Sequence, residues 1–203
     1  IDIEATKKKA KPDYEMIERL ASECFMPLTY GGGISDISEV DRIFSLGVEK
    51  ISIQGAVFKK SNFISECAHK FGNQSMVLSL DIKKNIFGKY QVYDSSKNIS
   101  IKGNWKKIIK EYINMGFGEI MVNSVDRDGL MKGLDYNLIS QLSEFIDIPL
   151  ISVGGVSSLE DINRGLDCGS DAIAAGSFFI FHGPHKAVLI SYPDTSKIKT
   201  QNN

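Results

Sequence analysis

The amino-acid sequence predicts an α/β fold in which the strands of a parallel sheet alternate with helices, and two recurring patterns predict it. Short runs rich in β-branched and apolar residues have the length of strands. Between these runs, apolar residues recur at three- and four-residue spacing, as Ile37, Val40 and Phe44 do, which is the period of an amphipathic helix. Regular alternation of the two patterns is typical of βα units. The predicted strands span residues 1–4, 27–30, 50–54, 76–81, 119–124, 149–153 and 171–175.

Two segments depart from this rhythm. Residues 87–104, FGKYQVYDSSKNISIKGN, alternate between polar and apolar positions and contain turn residues, so we predict a β-hairpin inserted after the fourth strand. Residues 182–203 lack the pattern of a last amphipathic helix and are interpreted as a C-terminal tail. With its sizeable apolar fraction, the whole chain of 203 residues is predicted to form a single domain.

The chain also contains an internal repeat. The 27 residues that begin at Gly32 align without a gap with the 27 residues that begin at Gly154, at a shift of 122 positions. The same shift places the upstream pair Asp13-Tyr14 opposite Asp135-Tyr136. The positions that are identical in the two copies are Gly32 and Gly154, Gly33 and Gly155, Ser35 and Ser157, Arg42 and Arg164, Gly47 and Gly169, and Ile51 and Ile173.

The repeat predicts a barrel. The second copy has a strand, 76–81, ahead of Asp126, whereas the first copy has none ahead of the equivalent Asp2. Two-fold symmetry therefore requires one strand more than the seven that the sequence predicts, and eight βα units form a TIM barrel. We predict a (βα)8 barrel built from two half-barrels, here lacking the first strand and helix. The chain opens without Met inside an apolar run, which suggests that its start is not the natural one.

Composition excludes several classes of protein. The net charge of −1 gives no general attraction to nucleic acid or to anionic lipid. No apolar run reaches the roughly 18 residues of a membrane span, and no signal peptide is present, so a cytoplasmic protein is expected. The cysteines and histidines lack metal-ligand spacing, and neither a metal nor a cofactor is predicted; these residues are Cys24, Cys67, Cys168, His69, His182 and His185.

Two glycine clusters follow predicted strands at equivalent places in the two copies. In a barrel of this type the site lies at the carboxyl ends of the strands. Glycine lets backbone N–H groups approach an anion closely, and a following helix start favours negative charge. Two phosphate sites on a two-fold axis predict a long substrate with a phosphate at each end; the alternative is that the glycines only form tight βα turns. The residues are Gly32, Gly33, Gln54 and Gly55 in the first copy, and Gly154, Gly155, Gly176 and Ser177 in the second.

Carboxylates also stand at predicted strand ends. Asp81 closes the fourth strand, where a general acid/base is well placed, although it could instead cap a loop. Asp126 and Asp128 lie in a DRDG sequence that is similar to the start of a calcium loop. A calcium site is excluded there because Leu130 occupies the fifth position and no Glu occupies the twelfth.

Five motifs in this order, YGGGI, LDIKK, GEIMVNSVDRDG, SVGGVSS and DAIAAGSFF, resemble the cyclase subunit of imidazole glycerol phosphate synthase. The resemblance covers essentially the whole chain from the family's second strand onward. It implies a (βα)8 barrel that joins ammonia to a formimino-phosphoribulosyl aminoimidazole carboxamide ribonucleotide. Imidazole glycerol phosphate and an aminoimidazole carboxamide ribonucleotide are the products. A separate glutaminase subunit, docked at the N-terminal barrel face, would supply the ammonia through the barrel.

The same resemblance implies roles for individual residues. Asp81 matches one of two acid/base aspartates, and the other belongs to the family's first strand, which lies outside these residues. Lys50 and Glu119 match two members of a charged gate through which ammonia enters. One phosphate and substrate site is matched by Asp128, Gly129, Gly154, Gly155, Gly176 and Ser177, and the other phosphate site by Gly32, Gly33, Gln54 and Gly55.

Some positions depart from the family pattern. The family usually has Asn-Thr at Gln54-Gly55 and Thr at Leu130, and the C-terminal tail replaces a helix. These features resemble a divergent branch encoded with surface-polysaccharide genes. An alternative function follows, in which the barrel relays ammonia from a glutaminase toward amidination of a sugar without cyclase activity. A further alternative is a non-catalytic scaffold that docks and activates the glutaminase.

Overall fold

The computed structural model describes residues 1–8, 10–59, 62–183 and 187–199. In chain order its helices and strands are α1 (Ile3–Lys8), α2 (Tyr14–Glu23), β1 (Thr29–Gly31), α3 (Ile37–Ser45), β2 (Lys50–Ile53), α4 (Phe63–Phe71), β3 (Met76–Lys84), β4 (Tyr90–Asp94), β5 (Ile99–Ser100), α5 (Trp105–Ile113), β6 (Glu119–Ser124), α6 (Tyr136–Ser143), β7 (Leu150–Val153), α7 (Leu159–Asp167), β8 (Ala172–Ala174), α8 (Ser177–Ile180), β9 (Phe181–His182) and β10 (Ala187–Val188). The parallel strands follow one another in the order β1-β2-β3-β6-β7-β8. They form a curled half-barrel with alternating helices, which confirms the predicted α/β barrel class.

Alternation along the strands separates two faces of the sheet. In β6, Ile120, Val122 and Ser124 are buried, and the last two face Leu138 and Leu142 of α6. The intervening residues of β6 are half-buried and point to the inside of the curled sheet. The apolar core therefore lies between the sheet and the helices, where burial of one Leu or Ile side chain contributes about 1.5–3 kcal/mol.

The internal repeat is visible in how two equivalent helices begin. Asp36 caps α3, and the carboxylate of Glu39 returns to the backbone N–H of Asp36 at 3.3 Å. Ser158 caps α7, and the carboxylate of Asp161 returns to the backbone N–H of Ser158 at 3.1 Å. Each capping box satisfies N–H groups that a helix start leaves without an intrahelical partner.

The repeat also relates two cation–π contacts. Arg42 lies 3.9 Å from the ring centre of Tyr14, and Arg164 lies 4.0 Å from the ring centre of Tyr136. Each contact packs a helix against the helix that precedes it. Two copies of one βα unit have therefore kept the same side-chain packing between neighbouring helices.

The predicted strand over residues 1–4 is wrong. The carboxylate of Asp2 accepts a hydrogen bond from the backbone N–H of Ala5 at 2.9 Å, and α1 begins at Ile3. Asp2 bonds toward the sheet through its backbone N–H, which donates to the carbonyl of Gly31 at 2.6 Å. A short acidic side chain offers the backbone this local bond in place of strand pairing. The described part of the chain therefore has six parallel strands and not seven.

Strand β3 continues three residues beyond its predicted end because a second strand pairs with it there. Strand β4 runs antiparallel to β3, with Asp81 opposite Tyr93 and Lys84 opposite Tyr90. Strand β5 pairs antiparallel with β4. Both added strands lie within residues 87–104, the segment in which the sequence predicts an inserted hairpin.

The C-terminal tail folds back onto the helices. Strands β9 and β10 pair antiparallel, and further along the backbone N–H of Lys199 donates to the side chain of Asn163 at 2.8 Å. The ammonium group of Lys199 lies 2.7 Å from a carboxylate oxygen of Asp167. The end of the described tail therefore rests on α7, while His185 lies outside the described residues. Among the helices that the structure describes, none is long and apolar enough to cross a membrane.

Candidate active site

Asp81 lies near the carboxyl end of β3, and only 9% of its surface is exposed. Its carboxylate accepts three hydrogen bonds from described side chains. The Gln54 amide donates to Oδ2 at 3.0 Å and the Asn123 amide donates to Oδ1 at 3.0 Å. The hydroxyl of Ser95 also donates to Oδ2. A carboxylate held in this way at the edge of a barrel sheet is placed for proton transfer to or from a ligand.

These side chains come from four different elements. Asn123 of β6 is the direct Cα partner of Asp81 in the parallel pairing of the two strands. Gln54 follows β2, and Ser95 follows β4. The carboxyl ends of parallel strands meet at one edge of a sheet, so residues that are distant in sequence converge there.

A cleft opens between the loops that follow β6, β7 and β8. It contains about 270 Å³ of empty space that continues into open solvent. Val153 and Val156 contribute apolar parts of its wall. The structure brings together in this lining the residues predicted for one phosphate and substrate site, namely Asp128, Gly129, Gly154, Gly155, Gly176 and Ser177.

Different structural constraints explain why these positions of the cleft are glycine. Gly154 and Gly155 have φ angles of 102° and 98°, which favour glycine. A Cβ on Gly154 would lie 2.9 Å from the carbonyl oxygen of Ser124, and one on Gly155 would lie 2.4 Å from that of Gly133. A Cβ on Gly176 would meet no described atom within 4 Å. Turn geometry therefore accounts for the first two glycines, whereas packing does not account for the third.

The first copy repeats this arrangement. Gly32 and Gly33 have φ angles of 127° and 69°, and a Cβ on Gly32 would lie 2.2 Å from the carbonyl oxygen of Asp2. Gly55 is exposed, and a Cβ there would meet no described atom within 4 Å. The amide of Gln54 is engaged by the carboxylate on β3. The four residues predicted for the second phosphate site therefore lie at the ends of the neighbouring strands β1 and β2.

The two carboxylates that follow β6 have different surroundings. Asp126 accepts a hydrogen bond from the backbone N–H of Lys84 at 2.7 Å, so it ties the loop to the end of β3. The side chain of Asp128 is exposed and lines the cleft. Of the two, Asp128 is the one positioned to meet a ligand.

A partly buried ion pair joins the end of β3 to the start of α6, and the inserted hairpin bonds to the same carboxylate. Asp135 is 5% exposed, accepts a hydrogen bond from the Tyr90 hydroxyl at 2.9 Å, and lies 2.9 Å from the ammonium group of Lys84. Burial raises the pKa of Asp135, but hydrogen bonds from Lys84, Tyr90 and the backbone of Leu138 outweigh it and the net pKa is lowered. The hydrogen bond to Asp135 raises the pKa of Lys84. Both groups are therefore charged at neutral pH.

Lys50 and Glu119 form an ion pair at the opposite end of the sheet. Lys50 is the first residue of β2 and Glu119 is the first residue of β6. Both side chains are partly buried, at 32% and 20% exposure. The pair predicted as part of a charged gate is therefore brought together at the amino-terminal ends of the strands. In the described ranges, no three His, Cys, Asp or Glu side chains converge as a metal site.

Two residues that donate hydrogen bonds to Asp81 were not predicted as functional from the sequence. They are Asn123 and Ser95. Asn123 carries a detectable signal, because it is a polar residue at an inward position of an otherwise alternating strand. Ser95 carries none, because it lies in a turn and its contact depends on how the hairpin folds over β3.

Comparison with known proteins identifies the family. A model of the histidine biosynthesis protein family matches residues 1–185. The chain belongs to this family. A relative in Pseudomonas aeruginosa, provisionally named imidazole glycerol phosphate synthase subunit hisF2, is 42% identical over 98% of this chain and 79% of its own length. A Vibrio vulnificus relative, provisionally named subunit hisF3, is 41% identical over 98% of this chain and 77% of its own length.

Relatives without a provisional name extend the same comparison. Imidazole glycerol phosphate synthase subunit HisF of Dictyoglomus thermophilum is 35% identical over 89% of this chain and 72% of its own length. The resemblance that five sequence motifs indicate is thereby confirmed. The chain is a member of an enzyme family, the imidazole glycerol phosphate synthase subunits.

Proposed function

We propose that the chain is an ammonia-dependent cyclase, a lyase of histidine biosynthesis that acts in the cytoplasm without a cofactor. It joins ammonia to a formimino-phosphoribulosyl aminoimidazole carboxamide ribonucleotide and releases imidazole glycerol phosphate and an aminoimidazole carboxamide ribonucleotide. The observation that carries the proposal is the buried Asp81 carboxylate, held by side chains from three other elements at the carboxyl edge of the sheet. Relatives named imidazole glycerol phosphate synthase subunits support the same reaction.

Asp81 transfers protons in this reaction. A cyclisation that breaks one C–N bond and forms others needs proton transfers on two sides of the substrate. One positioned acid/base group contributes about 10²–10⁴-fold in rate. The resemblance assigns the second group to an aspartate of the family's first strand.

The glycine loops bind the two phosphate ends of the substrate. Gly176, where packing does not explain the absence of a side chain, faces the same cleft as Gly154 and Gly155. Their backbone N–H groups suit one phosphate, and Asp128 faces the substrate beside it. The loops at Gly32, Gly33, Gln54 and Gly55 bind the other phosphate, which the internal repeat supports.

Ammonia enters from the opposite end. A separate glutaminase subunit docks at the amino-terminal ends of the strands and releases ammonia there. The Lys50–Glu119 pair, at the first residues of β2 and β6, supports a gate at this entrance. From the gate, ammonia travels along the inner face of the sheet toward Asp81.

Relay of ammonia toward amidination of a surface-polysaccharide sugar is a second candidate, and departures from the usual family residues favour it. Gln54, Gly55 and Leu130 depart from the usual family residues, which favours the divergent branch encoded with surface-polysaccharide genes.

Turnover of the ribulosyl substrate by the full-length gene product separates the two functions. With ammonium chloride as nitrogen source, the cyclase forms imidazole glycerol phosphate without any glutaminase. A parallel assay measures glutamine hydrolysis by the glutaminase with and without the protein. If the protein stimulates glutamine hydrolysis but forms no imidazole glycerol phosphate, the relay replaces the cyclase.

A further inference from the structure

The inserted hairpin reaches the candidate acid/base through one side chain. Ser95 is the first residue after β4, and its hydroxyl donates to Oδ2 of Asp81. The other two described donors, Gln54 and Asn123, belong to the ends of parallel strands of the barrel. The hydrogen bond from Ser95 therefore comes from the inserted hairpin and not from the barrel strands.

The turn that carries Ser95 is built around a buried carboxylate. Asp94 is 1% exposed and accepts hydrogen bonds from the backbone N–H groups of Ser96 at 3.1 Å and Lys97 at 3.2 Å. The Lys97 ammonium group lies 2.9 Å from the second oxygen of Asp94. A carboxylate this buried is stable only when its oxygens have partners. The backbone on both sides of Ser95 is thus held in one conformation.

The start of β4 is fixed to the barrel. Tyr90, the first residue of β4, donates to Asp135 at 2.9 Å, and the Lys84 ammonium group pairs with the same carboxylate at 2.9 Å. The lowered pKa of Asp135 keeps this pair charged. Strand β4 is also paired with β3 along its length, from Asp81 opposite Tyr93 to Lys84 opposite Tyr90, so the Ser95 hydroxyl has a defined position beside Asp81.

A count of acceptor positions shows what the Ser95 bond does. A carboxylate has about four lone-pair positions for hydrogen bonds. The described donors on Asp81 occupy three of them, which leaves about one for a proton exchanged with substrate. The terminal torsion of an Asp side chain is broad, so the carboxylate turns easily unless it is held. Proton transfer requires the two heavy atoms within about 2.6–3.2 Å.

We propose that Ser95 is a positioning residue, through which the inserted hairpin fixes the orientation of the Asp81 carboxylate for proton transfer. The inference rests on the proposed acid/base function of Asp81. It assigns the hairpin a part in the reaction that neither the glycine loops nor the ammonia gate supply. Ser95 is itself exposed, so substitution of its small side chain removes no part of the apolar core.

Kinetics of Ser95→Ala in the full-length gene product test the proposal, with ammonium chloride and the ribulosyl substrate. We expect kcat to fall about ten- to a hundredfold, as for loss of a hydrogen bond to a charged group, with KM changed less than about threefold. Ser95→Thr should restore most of the rate because it keeps the hydroxyl. Ser100→Ala is the matched control, since it removes the hydroxyl of another exposed serine in the same hairpin. The midpoint of thermal unfolding should be equal in all three variants.

A double mutant separates this inference from the proposed function. If Ser95 acts through Asp81, adding Ser95→Ala to Asp81→Asn should lower the residual rate no further. A fall by the same factor in both backgrounds would overturn the positioning role, as would a Ser95→Ala rate equal to that of Ser100→Ala. If Asp81→Asn itself keeps the wild-type rate, the acid/base assignment fails first, and the Ser95 inference fails with it.

Discussion

Asp81 and Asp135 are both buried carboxylates, and their partners differ in charge. The described hydrogen-bond donors on Asp81 are the neutral side chains of Gln54, Asn123 and Ser95. Asp135 instead pairs with the ammonium group of Lys84. Neutral donors fix the orientation of a carboxylate without compensating its charge, whereas a lysine does both. The arrangement leaves Asp81 available for chemistry and uses Asp135 for structure.

Substitution of Asp81 by Asn is the first prediction. Asn keeps the shape of the side chain but cannot exchange the proton, so kcat for the ammonia-dependent reaction should fall at least about a hundredfold. KM should change little because, in the proposed function, the glycine loops bind the ends of the substrate. The measurement is steady-state turnover of the ribulosyl substrate by the full-length gene product. Asp147→Asn, at an exposed aspartate just ahead of β7, is the control and should keep the wild-type rate.

At the scale of elements, three pieces of the chain meet at Asp135. Its carboxylate caps α6 through the backbone N–H of Leu138 at 3.1 Å, while it also holds Lys84 at the end of β3 and Tyr90 at the start of β4. The equivalent residue of the first copy, Asp13, caps α2 in the same way, accepting from Met16 at 3.0 Å. A capping residue of the repeat has therefore become the attachment point of the inserted hairpin.

The Asp135 cluster predicts a dependence of stability on pH. The pKa of Asp135 in the folded protein is below its ordinary value of 3.8, so it contributes stability that is fully present above that value. This contribution is lost as the pH falls through the folded pKa. Asp135→Asn should lower the free energy of unfolding at pH 7 by about 1–3 kcal/mol. Below pH 4 the free energy of unfolding of the variant should decrease less steeply than that of wild type.

Urea unfolding of wild type and variant between pH 7 and pH 3 measures this effect. Asp13→Asn is the matched control, because it changes the equivalent helix cap, which has no lysine partner among the described residues, and should cost less at neutral pH. Parallel curves for wild type and Asp135→Asn over the acidic range would contradict the assigned ion pair.

At the scale of the whole molecule, the two halves present the same kind of loop to the same edge of the sheet. In the repeat Gln54 aligns with Gly176 and Gly55 with Ser177, so each half has a glycine at one of these two adjacent loop positions, and a Cβ on Gly55 or Gly176 would meet no described atom within 4 Å. Since both halves retain this geometry, one long substrate with two phosphates suits the molecule better than one small ligand. The proposed substrate class rests on this symmetry and not on any single contact.

Hydrogen exchange with inorganic phosphate tests this two-fold arrangement. Tens of millimolar phosphate should slow amide exchange around residues 154–156 and 176–178, and around 32–34 and 54–56, relative to chloride at equal ionic strength. A carboxylate repels phosphate, so Gly176→Asp should remove the protection in the second half alone and Gly55→Asp in the first half alone. Each variant is the control for the other. An exchange pattern that phosphate leaves unchanged would support only the tight-turn interpretation of the glycines.

Local periodicity predicted most of the fold. Strand β6 spans the predicted residues 119–124, because its inward and outward positions alternate along the whole strand. The repeat located the glycine loops, since it is a property of the sequence alone. Residues 1–4 were predicted wrongly because the pattern of an apolar run does not show that Asp2 will cap a helix. A hydrogen bond from a nearby backbone N–H to a side chain competes with strand pairing. The spacing of apolar residues does not show how strong that competing bond is.

The sequence by itself determined the alternation of strands and helices, the two-fold repeat, and the position of Asp81 toward the carboxyl end of a strand. These features depend on which residues are apolar and how far apart they are, and that information is local. Only the tertiary structure decided which carboxylate serves which purpose: Asp126 ties a loop, Asp128 faces the cleft, and Asp135 anchors the hairpin. It also brought Ser95 to Asp81. The hydrogen-bond partners of a side chain are set by strand register and hairpin folding, which bring distant segments within about 3 Å and leave no periodic trace in the chain.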